Sequence, residues 1–151
     1  MKRLGILLIC LYLVILSCSD DSEDVAARAD KEIMEYLELR NLKAQRTEDG
    51  MYYIIKFPGS EEKPVLTSNV TVHYQGKLIN GSVFDSSYGR EPANFKLEDV
   101  IKGWQKGIPL IGRGGNIMLF IPPQLGYGNA AQQGIPANSV LIFDVELIDF
   151  Q

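Results

Sequence analysis

LEDVIKGWQKG, residues 97 to 107, holds the only Trp of the chain and reads as one short isolated helix. Val100, Ile101 and Trp104 fall at i, i+1 and i+4, so one face is apolar while Glu98, Lys102 and Lys106 point elsewhere. A helix of about ten residues is unstable alone and needs a partner surface. Strand-like runs on both sides of it supply one, and the chain reads as a sheet wrapped around this helix.

Downstream of the helix, Gly112 to Gly115 form a turn, and Ile117, Leu119 and Ile121 are the inward set of a strand that Pro122-Pro123 stops. Residues 124–139 read as a long loop carrying Tyr127, Ile135 and Pro136, and a loop of that length in a compact domain is often functional. A last strand follows from Val140 to about Ile148, with Leu141, Phe143, Val145 and Leu147 inward and Asp144 and Glu146 outward.

Upstream, Met51 to Phe57 is rich in β-branched and aromatic residues and ends at Pro58-Gly59, as a first strand would. Val70, Val72 and Tyr74 alternate with Thr71, His73 and Gln75, a half-buried strand that continues to Ile79. Asn80-Gly81 is a hairpin turn, and Val83-Phe84 begins the return strand, which Asp85-Ser86-Ser87 leaves. Met118, Phe120 and Ile142 then form an apolar outer face that needs a cover.

Residues 25–46 are strong helix formers, with Ala29, Ile33 and Leu37 spaced four apart. This N-terminal helix is a spacer, a dimer contact, or a cover for the outer face through Ile33 and Leu37. Its stripe is narrow, which favours a monomer. The main domain is expected over residues 51–151.

At the N-terminus, Lys2 and Arg3 precede an apolar run from Leu4 to Leu16 and a polar stretch from Ser19 to Asp24. The run is short of the roughly 20 residues that a membrane span needs, and the layout is that of a cleaved signal peptide over residues 1–17. Ile15-Leu16-Ser17-Cys18 resembles the lipobox of bacterial lipoproteins, which implies lipidation of Cys18 and a membrane anchor. Residues 18–24 then form an acidic tether. Ser19 in the second mature position directs the anchored protein outward, to the outer membrane of the cell envelope.

On this reading Cys10 is removed and Cys18 carries lipid, leaving neither a thiol nucleophile nor a disulfide. The chain carries 15 basic and 19 acidic residues and no basic stripe, so nucleic acid is not an expected partner. Its one histidine, His73, lies by alternation on the outer face of its strand with no second ligand nearby, and a structural role is expected for it. A zinc site and a Ser-His or Cys-His hydrolase centre are both disfavoured.

Four motifs in order, VHYQGKLINGSVFDSS (72 to 87), FKLEDVIKGWQKGI (95 to 108), IPPQLGYG (121 to 128) and LIFDVELID (141 to 149), resemble the FKBP-type peptidyl-prolyl isomerases. The resemblance spans about Met51 to Gln151. It implies an α+β fold in which an antiparallel sheet curls around one short helix, and an aromatic cup between them that accepts proline. Carried over motif by motif, Tyr74, Phe84, Asp85 and Tyr127 are the implied catalytic set. Phe95, Val100, Ile101, Trp104, Ile135 and Phe143 are the implied substrate-binding set, with Trp104 as the floor.

The resemblance further implies that Tyr127 offers its hydroxyl, and Ile101 its backbone N–H, to substrate carbonyls, while Tyr74 and Arg90 orient Asp85. No metal and no cofactor are implied, and the partners are proline-containing polypeptides. The same cup would also suit a binding or chaperone module without catalysis. Ala93 stands where some members have a pocket aromatic, and Ile135-Pro136-Ala137 where two prolines are common. These departures leave the proline cup intact and bear on macrolide affinity and on the residue preferred before proline.

Overall fold

In the computed structural model, which describes residues 21–151, strand β6 (Gly115–Ile121) is apolar at every position from Ile117 to Ile121 and is covered on both faces. Alternation sends Ile117, Leu119 and Ile121 into one cluster of buried side chains and Met118 and Phe120 into another. Those two clusters organise the molecule. The expected signal segment, Cys18 and the start of the tether lie outside the described residues.

The chain runs through α1 (Asp21–Leu39), β1 (Gln45–Arg46), β2 (Tyr52–Phe57), β3 (Asn69–Leu78), β4 (Val83–Ser86), β5 (Ala93–Lys96), α2 (Lys102–Gly107), β6 and β7 (Leu141–Phe150). All strand pairs are antiparallel, in the order β1-β2-β6-β7-β3-β4, with β5 also pairing β3. One curled sheet therefore carries both clusters, and the fold is α+β as expected.

The inner cluster holds α2. Gly103 and Gly107, one turn apart, bring that helix so close to β6 that an added Cβ would lie 2.5 Å from Ile121 or from Leu119 respectively. This approach leaves Trp104 4% exposed in the middle of the inner face. Lys106 Nζ ties the same helix to Asp49 at 2.6 Å, and Lys106 first and Thr47 second hold the Asp49 carboxyl below its ordinary pKa.

The outer cluster is completed by α1. Ala29, Ile33, Tyr36 and Leu37 are buried against Tyr52, Phe120, Val140 and Ile142, a stripe at helical spacing on a sheet face that would otherwise be bare. Ile33 and Phe120 are fully buried, and the Tyr36 and Phe120 rings meet at 5.7 Å between centroids. Asp30 Oδ1 accepts from Arg46 Nε at 2.9 Å and from the Tyr52 hydroxyl at 3.0 Å, which pins the helix at its middle. The helix is thus a cover docked on its own domain.

Several elements differ from the sequence reading. The N-terminal helix is already formed at Asp21, the first described residue, and stops at Leu39, so part of the expected tether is helical and the last residues of the expected helix are not. Asn41 takes φ 51°, and the Leu42 and Asn41 N–H groups reach back to the Leu37 and Glu38 carbonyls. That is a Schellman-type stop, for which Asn is one of the few residues suited.

The expected helix over 97–107 is broken. Leu97–Asp99 form a 3₁₀ turn, Val100 is extended, and only Lys102–Gly107 are α-helical. Two β-branched residues in succession favour the extended backbone. The Gln105 side-chain amide then donates to the Glu98 and Val100 carbonyls at 3.0 and 2.8 Å, which satisfies acceptors that the break leaves over.

β5 was not anticipated at all. Its four residues, Ala93–Lys96, pair with Asn69–Val72 of β3 and bring Phe95 to the edge of the inner cluster.

Candidate active site

The site is built where β3 and β4 separate. Gly76 pairs with Asp85, but the next pair is Lys77 with Val83, so Phe84 is an extra residue in β4. A bulge of this kind re-aims side chains. Phe84 and Asp85 are consecutive, yet both line the same cavity, which straight alternation along a strand would not permit.

That cavity has a volume of about 1050 Å³, and all ten implied catalytic and binding residues line it. Tyr74 and Phe143 come from the paired centre of β3 and β7, Phe84 and Asp85 from β4, Phe95 from β5, and Val100, Ile101 and Trp104 from the broken helix. Tyr127 and Ile135 come from the loop before β7. A second cavity of about 310 Å³ is lined by Asp30, Arg46, Glu48, Asp49, Gln124, Pro122 and small residues, without an aromatic.

Trp104 forms the floor. Its ring meets Tyr74, Phe95 and Phe143 edge-on, with centroids 5.3, 5.5 and 5.2 Å away. Edge-to-face contacts are the favoured aromatic geometry and hold the rings rigidly. The indole Nε1 is buried without a hydrogen-bond partner among the described residues. Phe84 closes the wall against Phe143 at 5.5 Å.

The polar side of the cup centres on Asp85. Its Oδ2 accepts from the Tyr74 hydroxyl at 2.5 Å, its Oδ1 accepts from the Ser86 N–H at 2.8 Å, and Arg90 lies 3.4 Å from Oδ1. Burial first, and the bond to the Asp85 carboxylate second, push the Tyr74 hydroxyl up to about 12. Tyr74 therefore remains a proton donor to Asp85 throughout the neutral range.

Two further residues that line the cup carry a donor without a partner among the described residues. The broken helix leaves the Ile101 N–H outside any helical hydrogen bond, and the Tyr127 hydroxyl donates to no group. Tyr127 is held out by the chain around it: the Gly128 N–H bonds the Pro123 carbonyl at 2.8 Å, and the Asn138 N–H bonds the Gly128 carbonyl at 2.8 Å. The ring is 39% exposed, unusual for a packing aromatic.

His73 lies outside the cup. Its Nδ1 is 3.0 Å from Ser87 Oγ, its ring stacks on Tyr88 at 5.4 Å, and Ser87 Oγ also accepts the Tyr74 N–H at 2.8 Å. The contacts are those of a strand-edge brace. No cluster of three or more His, Cys, Asp or Glu side chains suited to a metal is found among the described residues.

Sequence reasoning missed the rim. Ser82, Val83, Asp99, Gln132, Gln133 and Gly134 also line the cavity. Val83 was readable as a strand residue beside Phe84, and Asp99 as the neighbour of Val100. The Gln132–Gly134 segment carries no motif, and it reaches the cup through a tight Gln132–Ile135 bridge that brings Gly134 over Phe84.

Residues 60–148 match the family of FKBP-type peptidyl-prolyl cis-trans isomerases. The FkpA isomerase of Buchnera aphidicola from Schizaphis graminum is 52% identical over 108 residues, covering 70% of this chain and 43% of that protein. FkpA of Escherichia coli K12 is 42% identical over 130 residues, covering 85% of this chain and 47% of that protein. The crystal structure of FkpA from Escherichia coli superposes with a TM-score of 0.75 at 41% identity, covering 86% of this chain and 62% of that one. This chain thus spans less than half the length of these two curated relatives. Its match to the family over most of its length is nonetheless direct, and the chain belongs to the FKBP-type peptidyl-prolyl cis-trans isomerases.

Proposed function

We propose that the chain is a peptidyl-prolyl cis-trans isomerase acting on proline-containing segments of exported polypeptides. The observation that carries this reading is the convergence of all ten residues on one aromatic cup floored by the buried Trp104.

An X-Pro bond turns slowly because amide resonance opposes rotation with a barrier of about 18–20 kcal/mol. The planar amide is more charge-separated than the twisted one, so a dry aromatic wall disfavours the ground state relative to the transition state. Proline sits against Trp104 between Tyr74 and Phe143. The Ile101 N–H and the Tyr127 hydroxyl hold the flanking carbonyls, and Asp85, fixed by Tyr74 and Arg90, lies beside the rotating bond. Lowering the barrier by about 5.4 kcal/mol gives roughly 10⁴-fold acceleration, and the chemistry requires no nucleophile, metal or cofactor.

The full chain in mild detergent is the material for the test. Catalysed cis-to-trans isomerisation of proline peptides, reduced by Phe84→Ala and by Asp85→Ala, supports the enzyme. Folded protein that binds the peptides without accelerating them would replace it by a binding module.

The proposal extends to the whole chain as a monomeric lipoprotein of the cell envelope. It comprises a signal segment over residues 1–17, a lipid on Cys18, the acidic residues 18–24, the covering helix, and the isomerase domain over residues 51–151. The lipobox-like Ile15-Leu16-Ser17-Cys18 supports the anchor. Incorporation of a labelled fatty acid that Cys18→Ala abolishes is the expected result.

A further inference from the structure

The cup is lined by two carboxylates, Asp85 and Asp99, and by no Lys, Arg or His. The two acids differ sharply in how they are compensated. Asp85 receives the Tyr74 hydroxyl and the Ser86 N–H and has Arg90 beside it. Asp99 receives no hydrogen bond and no ion pair from any described residue.

The nearby cations are otherwise engaged. Lys96 pairs with Glu98, which is the main reason its pKa is raised, with Asp99 a minor contributor. Lys102 turns to the Gln105 side chain at 3.3 Å. Asp99 closes the 3₁₀ turn immediately before Val100 and Ile101, is exposed, and lines the cavity together with them. The rest of the mouth is uncharged: Val83 and Tyr127 are 53% and 39% exposed, and Ser82, Gln132 and Gln133 are neutral.

We propose that Asp99 is a specificity-determining residue, which makes the cup favour polypeptide segments carrying Lys or Arg within two residues of the proline and disfavour those carrying Asp or Glu. Among the residues that line the cup, a client chain meets one uncompensated negative charge and no positive one. The charge acts on the segment flanking the proline and not on the rotating bond, so it sorts substrates without altering the chemistry. This inference rests on the isomerase reading above.

The test uses the full chain and peptides identical except for Lys, Gln or Glu, placed before the proline in one set and after it in another. The readout is the ratio of kcat/KM for the Lys peptide to that for the Glu peptide, in which any change of basal turnover cancels. An exposed charge pair predicts a ratio of about ten at low ionic strength in at least one set, falling towards about two in high salt as screening sets in. Asp99→Asn is expected to bring the low-salt ratio close to one, Asp99→Lys to invert it, and Asp99→Glu to retain it. A wild-type ratio near one, or an unchanged ratio in Asp99→Asn, would overturn the assignment while leaving the isomerase intact. Failure of the wild-type chain to turn over any of the peptides would overturn the isomerase reading, and this inference with it.

Discussion

The Tyr74 hydroxyl donates to Asp85 Oδ2 at 2.5 Å across the β3 and β4 pair, and it is the one side-chain donor that reaches Asp85 from the interior of the cup. The bond sets the orientation of an otherwise half-exposed carboxylate. Asp85 reaches the cup side by ordinary alternation, opposite Gly76, and the bulge beyond it is what brings the next residue, Phe84, to the same cavity.

Tyr74→Phe removes this bond and keeps the ring that packs on Trp104. A hydrogen bond to a charged group is worth about 1.5–3 kcal/mol, which corresponds to a fall in kcat/KM of at least about tenfold if the full value is used in the transition state. Asp85→Ala is expected to lose more. Peptide isomerisation assays check the order, and a Tyr74→Phe enzyme of wild-type activity would remove Tyr74 from the catalytic set.

Tyr74 also predicts a pH dependence. Its folded pKa is raised to about 12, by burial first and by Asp85 second, above the usual tyrosine value of about 10. Between those two values the folded chain keeps a proton that the unfolded chain releases, so stability from this group is constant below about pH 10 and declines as pH rises towards 12. Tyr52 shifts in the same direction, through burial and Asp30. Ultraviolet titration should show at least one of the seven tyrosines ionising late, and denaturant midpoints should fall across this alkaline window. In Tyr74→Phe the late step should shrink.

The cover helix supplies a stability prediction. Ile33 and Phe120 are both fully buried in the outer cluster, so Ile33→Ala leaves a cavity against Phe120 and should cost about 2–5 kcal/mol in urea unfolding. Removing α1 altogether uncovers Phe120, Ile142 and Met118, and the truncated chain should bind a hydrophobic dye. Unchanged stability without dye binding would show that the outer face needs no cover.

Much of this arrangement was legible because alternation and motif order are strong signals. Ile117, Leu119 and Ile121 read correctly as the inner set, and Phe120 and Ile142 as a face in need of a helix bearing Ile33 and Leu37. What escaped depends on local backbone detail. Val100 and Ile101 sit at helical spacing from Trp104, so periodicity alone gave no sign of the break, although two β-branched residues in succession were a hint. Asn41 is suited to a helix stop, but helix formers continue beyond it and mask the signal. β5, at four residues, has too little pattern to announce a strand, and the bulge at Phe84 follows from register that only pairing with β3 defines.

Trp104 makes occupancy of the cup directly observable. It is the only Trp in the chain, is 4% exposed, and is bounded by Tyr74, Phe95 and Phe143, so its emission reports the floor of the cup without interference from another indole. A prolyl ring seated there replaces the remaining water and changes both intensity and wavelength. Titration with a proline peptide is therefore expected to give a saturable change, and the same peptide with Ala in place of proline should give little. Phe84→Ala opens the wall without touching the indole, so it should weaken binding while leaving the emission of the free protein close to wild type. A titration that is saturable but identical for the proline and alanine peptides would place binding on the rim and not on the floor, and would detach Trp104 from proline recognition.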